Sequence, residues 1–163
     1  MTKPIPPHNF RWLSFEQLTA DELYEILRVR QQVFAVEQES IYLDVDGKDQ
    51  HAKHMVCWDT ESTTPTLLAY LRVVAPGKKY AEPSIGRVLT RESARGTGIG
   101  KTLMRLGVEH TLQEYPQADI RISAQLYLQR FYEEFGFAQV SDVYDEDGIP
   151  HIEMLRRANS ELS

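Results

Sequence analysis

Cysteine is nearly absent: Cys57 stands alone among 163 residues. That excludes an internal disulfide and makes a reducing cytoplasm the simpler home. Its setting, His54-Met55-Val56-Cys57-Trp58, reads as a strand, and the thiol as a buried inert group rather than a nucleophile. Basic charge is short as well. Eighteen Lys and Arg face 24 Asp and Glu, a net charge of -6, which argues against a nucleic-acid partner, since phosphates call for a basic face. The acidic balance suits solubility and favours a cationic substrate such as an amine. No apolar run reaches the ~20 residues that span a bilayer, and the proline-rich stretch from Met1 to Phe10 lacks an apolar signal core. A soluble, unexported protein with no membrane partner is therefore expected. Internal repeats, heptads and low-complexity linkers are missing too.

What remains is ordinary globular material: 42% hydrophobic and 26% charged residues, enough chain for one core and not two. A single domain over 10–158 is expected, after a flexible lead-in over 1–9 and before a short tail over 159–163. Thr19 and Glu22 form a capping box, and apolar residues at helical spacing predict a helix from Ala20 to Phe34. Met55 to Trp58 and Leu67 to Val74 read as a hairpin, and Ser84 to Thr90 as a strand. A glycine-rich turn then leads into a helix that Pro116 ends. Ile120 to Ala124 predicts a strand, and Leu126 to Phe135 a helix closed by Gly136. Two more strands, Phe137 to Tyr144 and His151 to Leu155, flank an acidic turn. The order mixes antiparallel pairing at both ends with a parallel crossover in the middle, an α/β arrangement.

The segment Arg95-Gly96-Thr97-Gly98-Ile99-Gly100-Lys101 carries the most information. Strand, glycine turn and helix together make a phosphate site: glycines admit close backbone approach, N–H groups point outward, and the helix start adds partial positive charge. A nucleotide P-loop needs four residues between its first Gly and the Gly-Lys pair, and Gly96 leaves only three. A dinucleotide turn needs a third Gly where Lys101 stands. Arg-x-x-Gly-x-Gly does fit, and Val88 to Met104 resembles the acetyl-CoA motif of the GNAT acetyltransferases. A second motif, Phe131-Tyr132-Glu133-Glu134-Phe135-Gly136-Phe137, is similar to that family's Tyr-x-x-x-Gly-Phe signature. A narrower likeness to the ElaA-type branch rests on several stretches: Arg30 to Gln38, Tyr42 with Asp44-x-Asp46-Gly47-x-Asp49, His54, and Tyr144 to His151.

The resemblance implies a GNAT fold: a central, mostly antiparallel mixed sheet whose parallel strands splay, with helices on both faces. It also implies acetyl-CoA as co-substrate. Backbone amides of Arg95 to Lys101 would hold the pyrophosphate. Val88, Leu89 and Thr90 would pair with the pantetheine arm, a cofactor form of β-augmentation. Gln125 stands where the superfamily often has Asn, and Tyr132 would sit near the coenzyme sulfur. The implied reaction is N-acetyl transfer to a primary amine, on a small molecule or a peptide, by direct attack in a ternary complex. A non-catalytic acyl-CoA sensor on the same fold is the alternative. Many members of the superfamily are dimers, so a homodimer is compatible.

Such chemistry needs a general acid, for which Tyr132 is the choice, and a base, because a lysine-like amine has a pKa near ~10.4. Glu37 and His151 lead the base candidates, with Asp44, Asp46 and His54 behind them. No metal is expected. An EF-hand loop needs Gly at its sixth position and Glu at its twelfth, whereas from Asp44 the glycine is fourth and the twelfth residue is Met55. The carboxylates of Asp44, Asp46 and Asp49 read instead as an acceptor pocket for a cationic amine, or as turn caps.

Overall fold

The chain enters its fold on a strand, β1 (His8–Ser14), where the prolines suggested only a lead-in. The computed structural model describes residues 3–161, so the ends of the expected lead-in and tail lie outside the described residues. β1 pairs antiparallel with β2 (Ala52–Asp59), β2 with β3 (Leu67–Val74), and β3 with β4 (Ser84–Thr90). Every residue of β3 is buried, because both faces of this sheet are covered.

One face takes α1 (Ala20–Arg30), capped as its sequence predicts: Thr19 Oγ1 accepts from the Glu22 N–H, and Glu22 answers with Oε1 on the Thr19 N–H. Ile26 and Val29 of α1 pack on Val56, Trp58 and Tyr70. The opposite face takes α2 (Ile99–Glu114), whose Leu103, Met104 and Val108 pack on Met55, Cys57 and Leu71. The split follows the two-residue period of strands, with Met55 and Cys57 facing one way and Val56 and Trp58 the other. Each such fully buried side chain contributes on the order of 1.5–3 kcal/mol. Gly107 lets α2 lie close: a Cβ there would stand 2.7 Å from a Leu71 methyl carbon.

After Arg30 the helix relaxes into a π-helical segment, Gln31–Glu37. The expected single helix to Phe34 thus changes pitch partway, a change often seen at functional sites.

The second sheet contains β5 (Ile120–Gln125), β8 (Ile149–Arg156) and β6 (Phe137–Gln139), with β7 (Tyr144–Glu146) also on β8, all antiparallel. Between β5 and β6 lies α3 (Gln129–Glu133), preceded by a 3-10 turn and followed by Gly136 at φ +92°. The expected strand from Phe137 to Tyr144 is two strands, broken where Val140 and Val143 face solvent.

The expected parallel pair, β4 and β5, forms no ladder, and among the described residues it is hydrogen-bonded only at its start. The Arg121 N–H donates to the Pro83 carbonyl at 3.2 Å, and the two sheets part from there. The result is two antiparallel sheets hinged at one corner, with a cleft between β4 and β5. A β-bulge sharpens the turn of β4: Arg87 and Val88 together stand opposite Leu71, with Arg87 at φ +49°. Among the described residues no helix is long and apolar enough to cross a membrane.

Candidate active site

At the far end of β4 a 3-10 turn, Glu92–Ala94, leads into the glycine segment. Gly96 and Gly98 hold φ values of +79° and +85°, the left-handed region that glycine enters without strain. Their conformations turn the chain so that the N–H groups of Gly96, Thr97, Gly98, Gly100 and Lys101 find no acceptor among the described residues. Beside them lies a depression of about 230 Å³ lined by Ala94, Gly96, Gly98, Gly100 and Lys101, with Phe131 as its apolar wall. The sixteen-residue α2 begins there, so its dipole adds to the donor array.

Thr97 stands behind this cradle. Its hydroxyl donates to the Ala94 carbonyl and accepts from the Ile99 N–H at 3.3 Å, locking the turn. Arg95 also lines the depression: Nε donates to the Thr90 carbonyl at 3.0 Å, and a terminal nitrogen lies 2.8 Å from Oε1 of Glu37. Lys101 leans toward Glu134 at 3.3 Å, both largely exposed, a surface pair worth about 0–1 kcal/mol.

The cradle opens into a cavity of about 790 Å³ that fills the splay between the sheets. Val88, Leu89, Thr90 and Gln125 line it, together with Tyr132, Glu37 and His151. Tyr132 is buried, edge-on to Phe131 and Phe137, and its hydroxyl makes no hydrogen bond to the described residues. Burial pushes its phenol well above the usual tyrosine value, so it stays protonated. Gln125 donates its amide N–H to Gln38 Oε1 at 3.2 Å, across the top of the cleft.

His151 closes the other end. Nδ1 lies 2.7 Å from the Ile149 carbonyl, which accepts only, so that nitrogen carries a proton. Nε2 faces Oε2 of Glu146 at 3.2 Å, and the ring stacks on Tyr144, its cross-strand partner. Glu146 Oε1 accepts from Ser123 Oγ at 3.4 Å, and Ser123 is bonded to the Tyr144 hydroxyl. Ser123 was not among the expected residues. The strand period could have found it, since residue 123 shares a face with Gln125.

Of the aspartates expected as an acceptor pocket or as turn caps, Asp46 lines the cavity and caps its turn by accepting from the Lys48 N–H at 3.1 Å, but all three are taken up chiefly by arginines. Asp49 Oδ1 accepts from Arg30 at 2.7 Å and Arg72 at 3.0 Å; Asp46 is bound by Arg72 at 2.9 and 2.6 Å. Asp44 takes Arg30 Nε at 3.0 Å, with Arg87 Nε at 2.8 Å. Three carboxylates and three guanidinium groups thus neutralise one another, so the loop from residue 44 to 49 is a structural tie with largely sheltered charges under an exposed Val45 and Gly47. His54 belongs to that tie as well. It is 1% exposed, bonded to the Tyr70 hydroxyl and the Asp49 carbonyl, and burial lowers its pKa. It does not reach the cavity as a base. Among the described residues no group of three or more His, Cys, Asp or Glu is placed to hold a metal.

This tie carries a pH signature. Burial opposes the charge on Asp46 and Asp49, but the arginine bonds outweigh it and hold both below the usual carboxylate range. Stability from these groups is fully present above the unfolded value near ~3.9 and drains away as pH falls through their folded values. Denaturant unfolding should therefore show a loss of stability that steepens below about pH 4. Asp46→Asn should lower stability at pH 7 and flatten that acid slope. An unchanged slope would remove Asp46 from the tie.

A family model described as an acetyltransferase (GNAT) domain matches residues 32–157. A UPF0039 protein of Synechocystis is 42% identical over 149 residues, covering 91% of this chain and 95% of the relative. Protein ElaA of Escherichia coli is 38% identical over 146 residues, covering 88% and 93%. Among solved structures, an acyl-CoA N-acyltransferase from Pseudomonas aeruginosa matches with a TM-score of 0.85 at 37% identity, covering 92% of this chain and 99% of its own. Escherichia coli ElaA matches with a TM-score of 0.85 at 35% identity, covering 93% and 100%.

Proposed function

The chain belongs to the GNAT acetyltransferase family, and we propose that, as an N-acetyltransferase using a coenzyme A thioester, it moves acetyl from acetyl-CoA to a primary amine in a ternary complex. One observation carries the reading: among the described residues, an open cradle of unpaired N–H groups adjoins a cavity in which an unbonded phenol waits. The donor set fits a pyrophosphate, and among the described residues a depression is left open beside it. Arg95, tied to Glu37 and the Thr90 carbonyl beside the cradle, would set one positive charge near the phosphates, and Lys101 would add a second. The edge of β4 that turns from β5 offers Val88, Leu89 and Thr90 main-chain groups to the pantetheine, with the Gln125 amide opposite.

The coenzyme supplies an acetyl group already activated as a thioester. A main-chain N–H near the bulge, on Val88 to Thr90, serves as oxyanion donor, a contact worth roughly 2.7–4 kcal/mol in comparable sites. As the N–C bond forms and the C–S bond breaks, His151 Nε2 takes the proton shed by the neutral amine. Tyr132 gives its proton to the departing sulfur, and water returns a proton from His151 to the phenolate. Glu37, tied to Arg95 at the coenzyme end, acts on this reading by placing Arg95 rather than by accepting a proton. A reducing cytoplasm suits the free, buried Cys57.

Thermal shifts with acetyl-CoA and ATP, followed by coenzyme release across a panel of amines, test the proposal. Stabilisation by acetyl-CoA alone and turnover with some amine are expected. A shift with ATP alone would overturn it, and a shift with acetyl-CoA but no turnover would leave the sensor.

A further inference from the structure

Charge at the acceptor end of the cavity is arranged in an uneven way. The carboxylates lining it are Glu37, Asp46, Glu146 and Asp147. Arg95 neutralises the first, and Arg72 and Arg87 the second. Glu146 has only His151 within ion-pair distance among the described residues, and the neighbouring Asp147 has no cation there, so a positive acceptor group is drawn to that corner. The cations of the lining show the complementary pattern. Arg87 is held by Asp44 and Asp46, and Arg95 by Glu37.

Lys79 is different. It lines the same cavity from the loop before β4, yet no carboxylate of the described residues comes within ion-pair distance of it. Among the described residues its ammonium stands over the face of Tyr80, at 5.4 Å from the ring centre. The residue as a whole is exposed, but protein around its charged end lowers its pKa even though Glu146 pulls the other way. A cation so placed gains most from an anion that arrives with the substrate.

We propose that the acceptor is a zwitterion, an amine carrying its own carboxylate: Lys79 binds the carboxylate while Glu146 and His151 receive the amino group. The acceptor class is thus the free amino acid or a close analogue, and this rests on the acyl-transfer reading above. A plain amine would satisfy Glu146 and leave Lys79 without an anion, and a polyamine would set a second positive charge against it. The two ends together select a molecule with both signs.

The test compares free amino acids with their amides and with the decarboxylated amines, in wild type, Lys79→Met and Lys79→Arg. In wild type kcat/KM should favour the free acid by about tenfold, the scale of one charge-assisted hydrogen bond. That ratio should collapse toward one in Lys79→Met and return in Lys79→Arg. Equal rates for acid and amide in wild type would overturn the proposal, as would a ratio that survives Lys79→Met. Binding separates this from the reaction itself. With coenzyme A present, N-acetyl amino acids should bind wild type more tightly than N-acetyl amino amides, and Lys79→Met should erase the difference. Discrimination in binding without turnover would uphold the subsite and sink the catalytic reading; turnover without discrimination would do the reverse.

Discussion

Tyr132→Phe is expected to lower kcat by about 10²–10⁴-fold, the range for loss of a positioned general acid, while the Kd for acetyl-CoA stays within about twofold. The substitution removes one oxygen and little else. The ring remains edge-on to Phe131 and Phe137 in the core beside Phe135. Because the hydroxyl has no partner among the described residues, its removal leaves no protein donor or acceptor orphaned, and the melting temperature should hardly move. A rate loss with intact binding and stability therefore reports on proton delivery to sulfur. Burial keeps the phenol protonated through neutral pH, so the deficit should be the same from pH 6 to 8. Unchanged turnover would take Tyr132 out of the mechanism.

The placement of that hydroxyl depends on a side chain far along the sequence. Arg156 is 1% exposed and has no carboxylate within ion-pair distance among the described residues. Its Nε donates to the Phe135 carbonyl at 2.9 Å and a terminal nitrogen to the Ser160 carbonyl at 2.7 Å. Burial lowers its pKa, but the carbonyls at the end of α3 are a favourable place for a cation. Arg156 thereby pins the short helix that carries Tyr132, a link between β8 and the cavity.

The glycine cradle was legible in the sequence because glycine spacing encodes backbone conformation directly, and the left-handed turns at Gly96 and Gly98 are its content. Thr19 and Glu22 were legible for the same reason, since a capping box is local. The arginine–aspartate tie was not. Arg72 sits in a fully buried strand and meets Asp46, 26 residues away, in a loop with no periodic signal. Charge in a sequence names possible partners but not which will meet. β1 escaped notice because Pro4, Pro6 and Pro7 dominate its approach, while its residues are only half-buried and give a weak alternation. Lys79 carries no signal at all in one dimension; only the fold brings it to the cavity that β4 and β5 define.

Gly98→Val should abolish stabilisation by acetyl-CoA. A ligand present at 100 times its Kd adds about 2.7 kcal/mol to the native state, which for a domain of this size is roughly 5–11 °C in melting temperature. The variant should show no shift. Gly98 holds φ at +85° as the residue that caps the start of α2, a conformation that costs a β-branched side chain on the order of 1–3 kcal/mol. Valine either rotates the turn, swinging the free N–H groups off their common target, or stands in the path of the phosphates. Some loss of intrinsic stability is therefore expected along with the loss of binding. Gly98→Asn separates the two effects, since asparagine tolerates the left-handed region and keeps the turn while adding bulk beside the cradle. Its melting temperature without ligand should lie close to wild type, with affinity reduced at least tenfold. Gly100→Ala supplies the mild comparison, because a Cβ there meets Thr90 Oγ1 at an ordinary 3.5 Å. Normal affinity in Gly98→Val would mean that the coenzyme is held somewhere other than at these main-chain donors, and the phosphate assignment would fall with it.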